Sequence, residues 1–225
     1  MAKADDLETT KAQDEKFKEV LQLFSDAGLK PSFVHLASSE AARRFPFTRY
    51  DMVRVGINLF GLEPKEVSLD LKPVLALRGR INQIKSIGQG ESVGYGLTWT
   101  AKRPTRLAVV PIGYGDGVDR GLSNQMRGLL AGQFVPQVGT ISMDQMIFDV
   151  TDVPRAEEGD VITLVGAEMG SVQGQAQSLC LAEWASTLGT ITYELACRLR
   201  IRLPRIYTRM SPALFSGGTK TTLGS

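Results

Sequence analysis

Apolar positions in the first 62 residues follow two different periods. Between residues 5 and 27 they recur at helical spacing. Phe17, Val20, Leu21 and Phe24 stand at i, i+3, i+4 and i+7, which stacks them on one face of a helix. Gly28 follows where a left-handed C-cap belongs, and Pro31 keeps the helix from resuming. A short apolar run at 33–37 then reads as a buried strand, and Ser38 and Ser39 are placed to cap a helix starting near Glu40. Residues 51–59 (DMVRVGINL) form a second β-rich run, broken by Gly56. Helix, strand, helix, strand with short connections is the rhythm of parallel βα units. At thirty-odd residues per unit there is room for about two, far from the roughly 250 residues of a closed eight-stranded barrel. The chain therefore begins inside a larger arrangement, or these units pack on the rest in an unfamiliar way.

From residue 74 the helical period disappears. VLALRGRI (74–81), SVGYGLTW (92–99), RLAVVPIGYG (106–115), FVPQVGTISM (134–143), QMIFDVT (145–151) and DVITLVG (160–166) are strand-like runs split by Gly, Pro, Asn and Asp. Short spacing between them predicts an antiparallel β-domain. The turn signal at 157–160 leads into its last strand. Two short helices are expected near the end, at 179–188 closed by Gly189 and at 193–200 ending before Pro204. The Gly-, Ser- and Thr-rich stretch 211–225 reads as a disordered tail. The fold class is thus α/β followed by all-β.

Composition narrows the function classes. A formal net charge of +2 on 225 residues gives no basic footprint for nucleic acid or an anionic membrane. No run of 18 apolar residues spans a bilayer, and the acidic, polar MAKADDLETT start lacks the apolar core of a signal peptide. Cys180 and Cys197, in apolar surroundings with no second thiol or histidine at ligand spacing, read as buried, reduced thiols of a cytoplasmic protein. His35 is the sole histidine, which removes His-cluster metal sites and disfavours a Ser-His-Asp triad.

Candidate chemistry starts with the two Gly-Tyr-Gly words, around Tyr95 and Tyr114. Flanking glycines allow close approach of backbone or ligand and leave the phenol uncovered. Two ordinary turns, each with a tyrosine, is the plainer alternative. Arg54, inside apolar VRVGI, needs a partner, because an unpaired buried charge costs several kcal/mol. That partner is either Asp51 or Glu63, or else a ligand, since parallel βα units bind at the C-terminal strand ends. His35 and Ser39 straddle a strand end, and Ser39 suits an anion at a helix N-terminus or a plain N-cap. Met143 reads by default as core filler and Asp116 as a turn residue.

Taken in order, VHLASS (34–39), VRVGI (53–57) with LFG (59–61), VGYG (93–96), IGYGDG (112–117), SMDQ (142–145), GTITYE (189–194) and the closing RLPRIY (202–207) resemble the pyridoxal-phosphate-dependent alanine racemases, at that family's approximate spacing. The departures are Ser38 where the family usually has Asn, Phe60 where it has Tyr, and Thr140 where it often has Arg. The resemblance implies a partial (β/α) barrel in residues 1–64, an antiparallel β-domain in 65–210 and a tail in 211–225, working as a cytoplasmic head-to-tail dimer. It makes Tyr95 the catalytic base on one face of the substrate, acting in the partner subunit's site. Tyr114 and Met143 match substrate-binding positions, also offered across the dimer. Ser39, Gly56, Ile57 and Tyr193 match the phosphate-binding set of the cofactor, pyridoxal 5'-phosphate. Arg54 matches the arginine facing the pyridine nitrogen, and His35 the histidine beside it. The implied reaction interconverts L- and D-alanine by proton removal at Cα, supplying D-alanine for peptidoglycan.

No word in these residues matches the family's Lys-Ala-Asn-Ala-Tyr-Gly-like segment, which carries the cofactor lysine and second base. The expectation is a racemase chain lacking its amino-terminal half and inactive by itself, complemented by a polypeptide with that half. The rival expectation is a non-catalytic module that completes another racemase subunit's site.

Overall fold

A parallel strand pair, not a lone hairpin, follows the first helix. The computed structural model describes residues 7–62, 71–169 and 176–208; the stretch read as a tail lies outside them. Helix α1 (Leu7–Asp26) leads to β1 (His35–Ser38), α2 (Ser39–Arg44) and β2 (Met52–Arg54), then a 3-10 turn at Ile57–Phe60. β1 and β2 pair in parallel, with His35 opposite Met52 and Ser38 opposite Arg54. This is the βα rhythm read from the sequence. β2 is shorter than the run 51–59, because Gly56 takes φ −122, ψ −84 and turns the chain into the 3-10 segment.

Helix α1 is moored to this unit by a polar knot. The Asp14 carboxylate is 2% exposed, accepts from Tyr50 Oη at 2.5 Å and pairs with Lys18 Nζ at 2.9 Å. Phe17 meets the Tyr50 ring edge-on at 5.3 Å. The rest of the apolar face behaves differently from its sequence reading. Val20 and Phe24 are exposed, as are Met52, Val53, Val55, Leu59 and Phe60 of the strand unit. Two parallel strands bury little, and among the described residues nothing closes over that side.

The remainder is one antiparallel sheet with helices on it. After β3 (Leu77–Arg80), β4 (Gln83–Ile87), β5 (Ser92–Val93), β6 (Trp99–Thr100) and β7 (Thr105–Val110) come β8 (Arg127–Leu130), β9 (Gln133–Val138), β10 (Met146–Asp149), β11 (Val161–Met169) and β12 (Ala176–Leu179). Eight of these strands form a sheet in the order β12-β11-β8-β9-β10-β7-β4, with β3 on the other part of long β11. β5 and β6 form a separate two-stranded hairpin. Helices α3 (Leu181–Leu188) and α4 (Thr192–Arg198) close the structure, and Gly189 ends α3 at φ +65 as its sequence position suggested.

Two cores result. The larger joins Phe148, Ile162, Leu164 and Val110 of the sheet to Leu181 and Trp184 of α3 and Leu195 of α4. The smaller gathers Ile87, Ala101, Leu107 and Val138, with Val93, Trp99 and Ile147 packed against it. At about 1.5–3 kcal/mol per buried large apolar side chain, the larger core carries the fold and the smaller seats the β5–β6 hairpin. Cys180 and Cys197 are exposed, contrary to their apolar surroundings in sequence: they stand at the N-cap of α3 and on the outer face of α4.

Burial and the Asp14 hydrogen bond push the Tyr50 phenol up to about 12 from an ordinary 10. A raised folded-state pKa means that the stabilisation is complete below about pH 10 and is lost as pH climbs towards 12. Thermal unfolding of the wild-type chain is therefore expected to lose stability over that interval relative to Tyr50→Phe. Parallel pH profiles for the two proteins would contradict this coupling.

Candidate functional site

The Tyr95 hairpin is held by very little local structure. β5 and β6 contribute two ladder pairs, Ser92↔Thr100 and Val93↔Trp99, and the Ser92 and Thr100 hydroxyls meet at 2.8 Å. The turn between them is left-handed three times over, with φ +78 at Gly94, +74 at Gly96 and +48 at Leu97. Glycine is needed at 94 for a second reason. A Cβ there would lie 2.9 Å from the Thr140 nitrogen and 3.3 Å from Gly139 Cα. The two backbones touch, and Thr140 Oγ1 donates to the Tyr95 carbonyl at 2.7 Å. The Tyr95 ring, by contrast, is 74% exposed. The run SVGYGLTW is thus not one strand but a tight tyrosine-presenting turn.

The second Gly-Tyr-Gly word forms a 3-10 turn at Tyr114–Asp116 that leans on the SMDQ loop. Tyr114 N donates to Ser142 O at 3.0 Å and Gly115 N to Met143 O at 2.9 Å. A side chain at Gly113 would collide with the Ser142 and Met143 carbonyls. Asp116 is a turn residue, as read, and accepts from Gly113 N at 3.0 Å through a buried carboxylate. It does more as well: Arg202 reaches its Oδ1 at 3.3 Å and also pairs with Asp144. These anions and their hydrogen bonds hold the Arg202 guanidinium above its usual range, the Asp144 hydrogen bond contributing most. Met143 is not core filler, since half of it is exposed beside Tyr114. A concavity of about 300 Å³ is lined by Gly94, Tyr95, Thr140, Ser142, Gln145 and Ile147.

The second group of residues lies at the parallel strands. Ser39 is 8% exposed, and its hydroxyl accepts from Gly56 N at 2.9 Å. It makes no cap to α2, nor does the Ser38 side chain, so the capping expectation fails. The Ser39 contact instead ties the start of α2 to the loop after β2. A Cβ built on Gly56 meets nothing within 4 Å, so the space before this peptide is open. Ile57 begins the 3-10 turn there.

Arg54 ends β2, exposed, and has no ion pair among the described residues: Asp51 is spent instead on Val34 N at 3.0 Å, and Glu63, the other expected partner, lies outside them. His35 stands at the start of β1, not at its C-terminal end, and faces Met52 across the ladder. Strand alternation nevertheless puts Met52 and Arg54, and hence His35, on one face. Tyr193, in the first turn of α4, has its phenol raised by burial and, less, by the Glu40 carboxylate.

The structure therefore assembles two clusters. Tyr114 and Met143 meet at the SMDQ loop, whose Ser142 and Gln145 line the concavity beside Tyr95; Ser39 and Gly56 are hydrogen-bonded at the end of the strand pair, with Ile57 next to them in sequence and Arg54 and His35 on the strand face. No hydrogen bond or ion pair among the described residues joins the clusters. Thr140, Ser142 and Gln145 were missed from the sequence as pocket residues. Their signal was a run of four polar positions, Thr140, Ser142, Asp144 and Gln145, in a loop between two apolar strands, TISMDQM.

Comparison with known proteins gives a consistent set of matches. The family model for the alanine racemase C-terminal domain matches residues 74–207, and that for the N-terminal domain matches residues 1–64. The alanine racemase of Nostoc sp. is 41% identical over 197 residues, 86% of this chain and 50% of that protein. That of Synechocystis sp. is 43% identical over 211 residues, 92% and 55% respectively. Among solved structures, alanine racemase from Bartonella henselae with covalently bound pyridoxal phosphate superposes with a TM-score of 0.78 at 31% identity, covering 92% of this chain and 55% of that one. The chain spans about half the length of the curated relatives it matches.

Replacing Gly94 with Ala adds a left-handed φ penalty to a backbone collision, so a loss of about 1–3 kcal/mol is expected in denaturant unfolding. Ala at Gly90, also left-handed at φ +87 but with nothing near it, separates the two terms. Equal losses at the two positions would mean that the Gly94–Thr140 approach contributes nothing.

Proposed function

The chain belongs to the alanine racemase family, and from that premise we propose that it supplies one face of a site that interconverts L- and D-alanine. The observation that carries the reading is Tyr95, a phenol standing free on a backbone clamped by Gly94 and Thr140 beside a concave pocket. A general base must reach the substrate while its own backbone stays fixed, and this hairpin does both. Residues 1–64 serve as the barrel portion and 65–210 as the β-domain.

The residues at the parallel strands fit pyridoxal 5'-phosphate. Ser39 keeps its hydroxyl proton to donate, a Cβ at Gly56 would meet open space, and Arg54 has no ion pair among the described residues. Ser39, Gly56, Ile57 and Tyr193 would hold the phosphate; the raised Tyr193 phenol stays protonated and acts as a donor. Pyridoxal phosphate, when bound, acidifies the substrate Cα proton by drawing electrons into its ring. Arg54 would offer only N–H donors to the ring nitrogen, so that nitrogen would serve as an acceptor and the electron sink would be weak. Well-placed bases matter more as a result. His35, on the same strand face, would stand beside Arg54 at the ring. Tyr95 Oη takes or returns the Cα proton from one face, while Met143 and Tyr114 wall the approach.

As the family resemblance implies, Tyr95, Tyr114 and Met143 act on a second polypeptide's site in a head-to-tail dimer. The lysine that anchors the cofactor and serves as the second base belongs to the half of the family's length that these residues do not match. No described helix is long and apolar enough to cross a membrane; the cytoplasm as the setting belongs to the same proposal. The 225-residue chain with pyridoxal phosphate and L-alanine is expected to form no D-alanine. Mixing with a polypeptide carrying the family's N-terminal half should give turnover, and Tyr95→Phe should cut it by roughly 10²–10⁴-fold. Mixed species by native mass without any turnover would instead favour a non-catalytic subunit-completing module.

A further inference from the structure

The Tyr95 turn has almost no side-chain packing of its own, yet it is joined to the sheet by a directional run of hydrogen bonds. Thr140 Oγ1 donates its one proton to the Tyr95 carbonyl at 2.7 Å. Thr98 Oγ1 and Thr140 Oγ1 lie 3.1 Å apart, so Thr98 must be the donor of that pair. Thr98 in turn accepts from Asn124 Nδ2 at 3.1 Å. The other end of the same amide, Asn124 Oδ1, accepts from Gly139 N at 2.6 Å. Asn124 therefore grips both sides of the contact that seats the turn: Thr98, which closes the hairpin, and Gly139, against which Gly94 packs.

Asn124 is itself built in. It adopts φ +62, a conformation Asn tolerates better than most residues. Its backbone N–H donates to Gln137 Oε1 at 2.7 Å, and Gln137, 2% exposed, spends its own amide group on the Val138 and Gly139 carbonyls at 3.0 and 2.9 Å. A buried glutamine with both ends used fixes Asn124 from below.

We propose that Asn124 is a positioning residue for Tyr95, acting through Thr98 and Thr140 to set the height and rigidity of the turn that carries the phenol. The proposal rests on Tyr95 as the base for its functional meaning, but not for its structural content. Counting protons makes it specific. Three links run from residue 124 through Thr98 and Thr140 to the Tyr95 carbonyl, and three protons serve them. Asn124→Asp keeps size, left-handed tolerance and the bond from Gly139, but leaves two protons for three links, so one link must fail. Thr98→Val removes two links, whereas Thr98→Ser removes none.

The test is residue-resolved hydrogen exchange on the full chain, read at the Leu97 amide, which donates to Gly94 O at 3.2 Å across the turn. Exchange there should accelerate about tenfold or more in Asn124→Asp and Thr98→Val. Thr98→Ser should match wild type, and the β7–β10 ladder amides should stay within about twofold throughout. Unchanged protection at Leu97 in both disruptive variants overturns the proposal, as does equal loss at Leu97 and in the ladder. Should Asn124→Asp fail to fold, Thr98→Val against Thr98→Ser decides alone. In a complemented, active assembly, Asn124→Asp should lower kcat while KM for alanine holds. If Tyr95→Phe leaves that assembly's turnover intact, the base assignment falls while the exchange result still judges the positioning claim.

Discussion

The backbone contact between Gly94 and the Gly139–Thr140 peptide is the constraint on which the exposed tyrosine depends. Two loops from distant parts of the chain approach closely enough that neither glycine has room for a side chain free of strain. Packing alone would not hold a turn whose tyrosine and leucine are mostly in solvent. What holds it is backbone proximity, a hydroxyl to a carbonyl, and the small core of Ile87, Leu107 and Val138 beneath Val93 and Trp99. The phenol is left free because its backbone is not. The same logic repeats at Tyr114, where glycine at 113 lets the turn lie against the Ser142 and Met143 carbonyls while Arg202 binds Asp116 and Asp144 from the other side.

The two halves of the chain differ in completeness. The antiparallel sheet encloses Phe148, Ile162 and Leu164 fully and carries α3 and α4 on the same core. The parallel strand pair leaves Met52, Val53, Val55, Leu59 and Phe60 in solvent, and α1 is tied down by the Asp14–Tyr50–Lys18 knot more than by its apolar stripe. Exposed faces of this kind ask for further βα units, in keeping with relatives twice as long.

Legibility in the sequence followed the physics of each signal. Period 3.6 gave α1 because Phe17, Val20, Leu21 and Phe24 repeat over two turns, although periodicity says nothing about whether that stripe is covered. Most β-runs were readable from apolar stretches between Gly and Pro. β4 (QIKSI) and β8 (RGLL) were not, because one is polar at three of five positions and the other opens on Arg-Gly. The tyrosine turns were visible as glycine-flanked words, yet their seat was not: Asn124, Gln137 and Thr140 meet only through tertiary contact. Ser39 looked like a cap from its place before a helix. Its hydroxyl instead finds Gly56 N, seventeen residues on, because the parallel register brings the two strand ends together. The exposed cysteines show the same limit, since apolar neighbours in sequence do not tell on which side of a helix, or at which end of one, a thiol will stand.

The central claim is that Tyr95 serves one face of the substrate and a second base serves the other. It is tested most directly by deuterium incorporation at Cα in a complemented assembly in heavy water, comparing wild type with Tyr95→Phe. The account requires wild type to exchange both enantiomers, and Tyr95→Phe to exchange one while losing the other. Exchange of both enantiomers reduced alike, or unaffected, would contradict it.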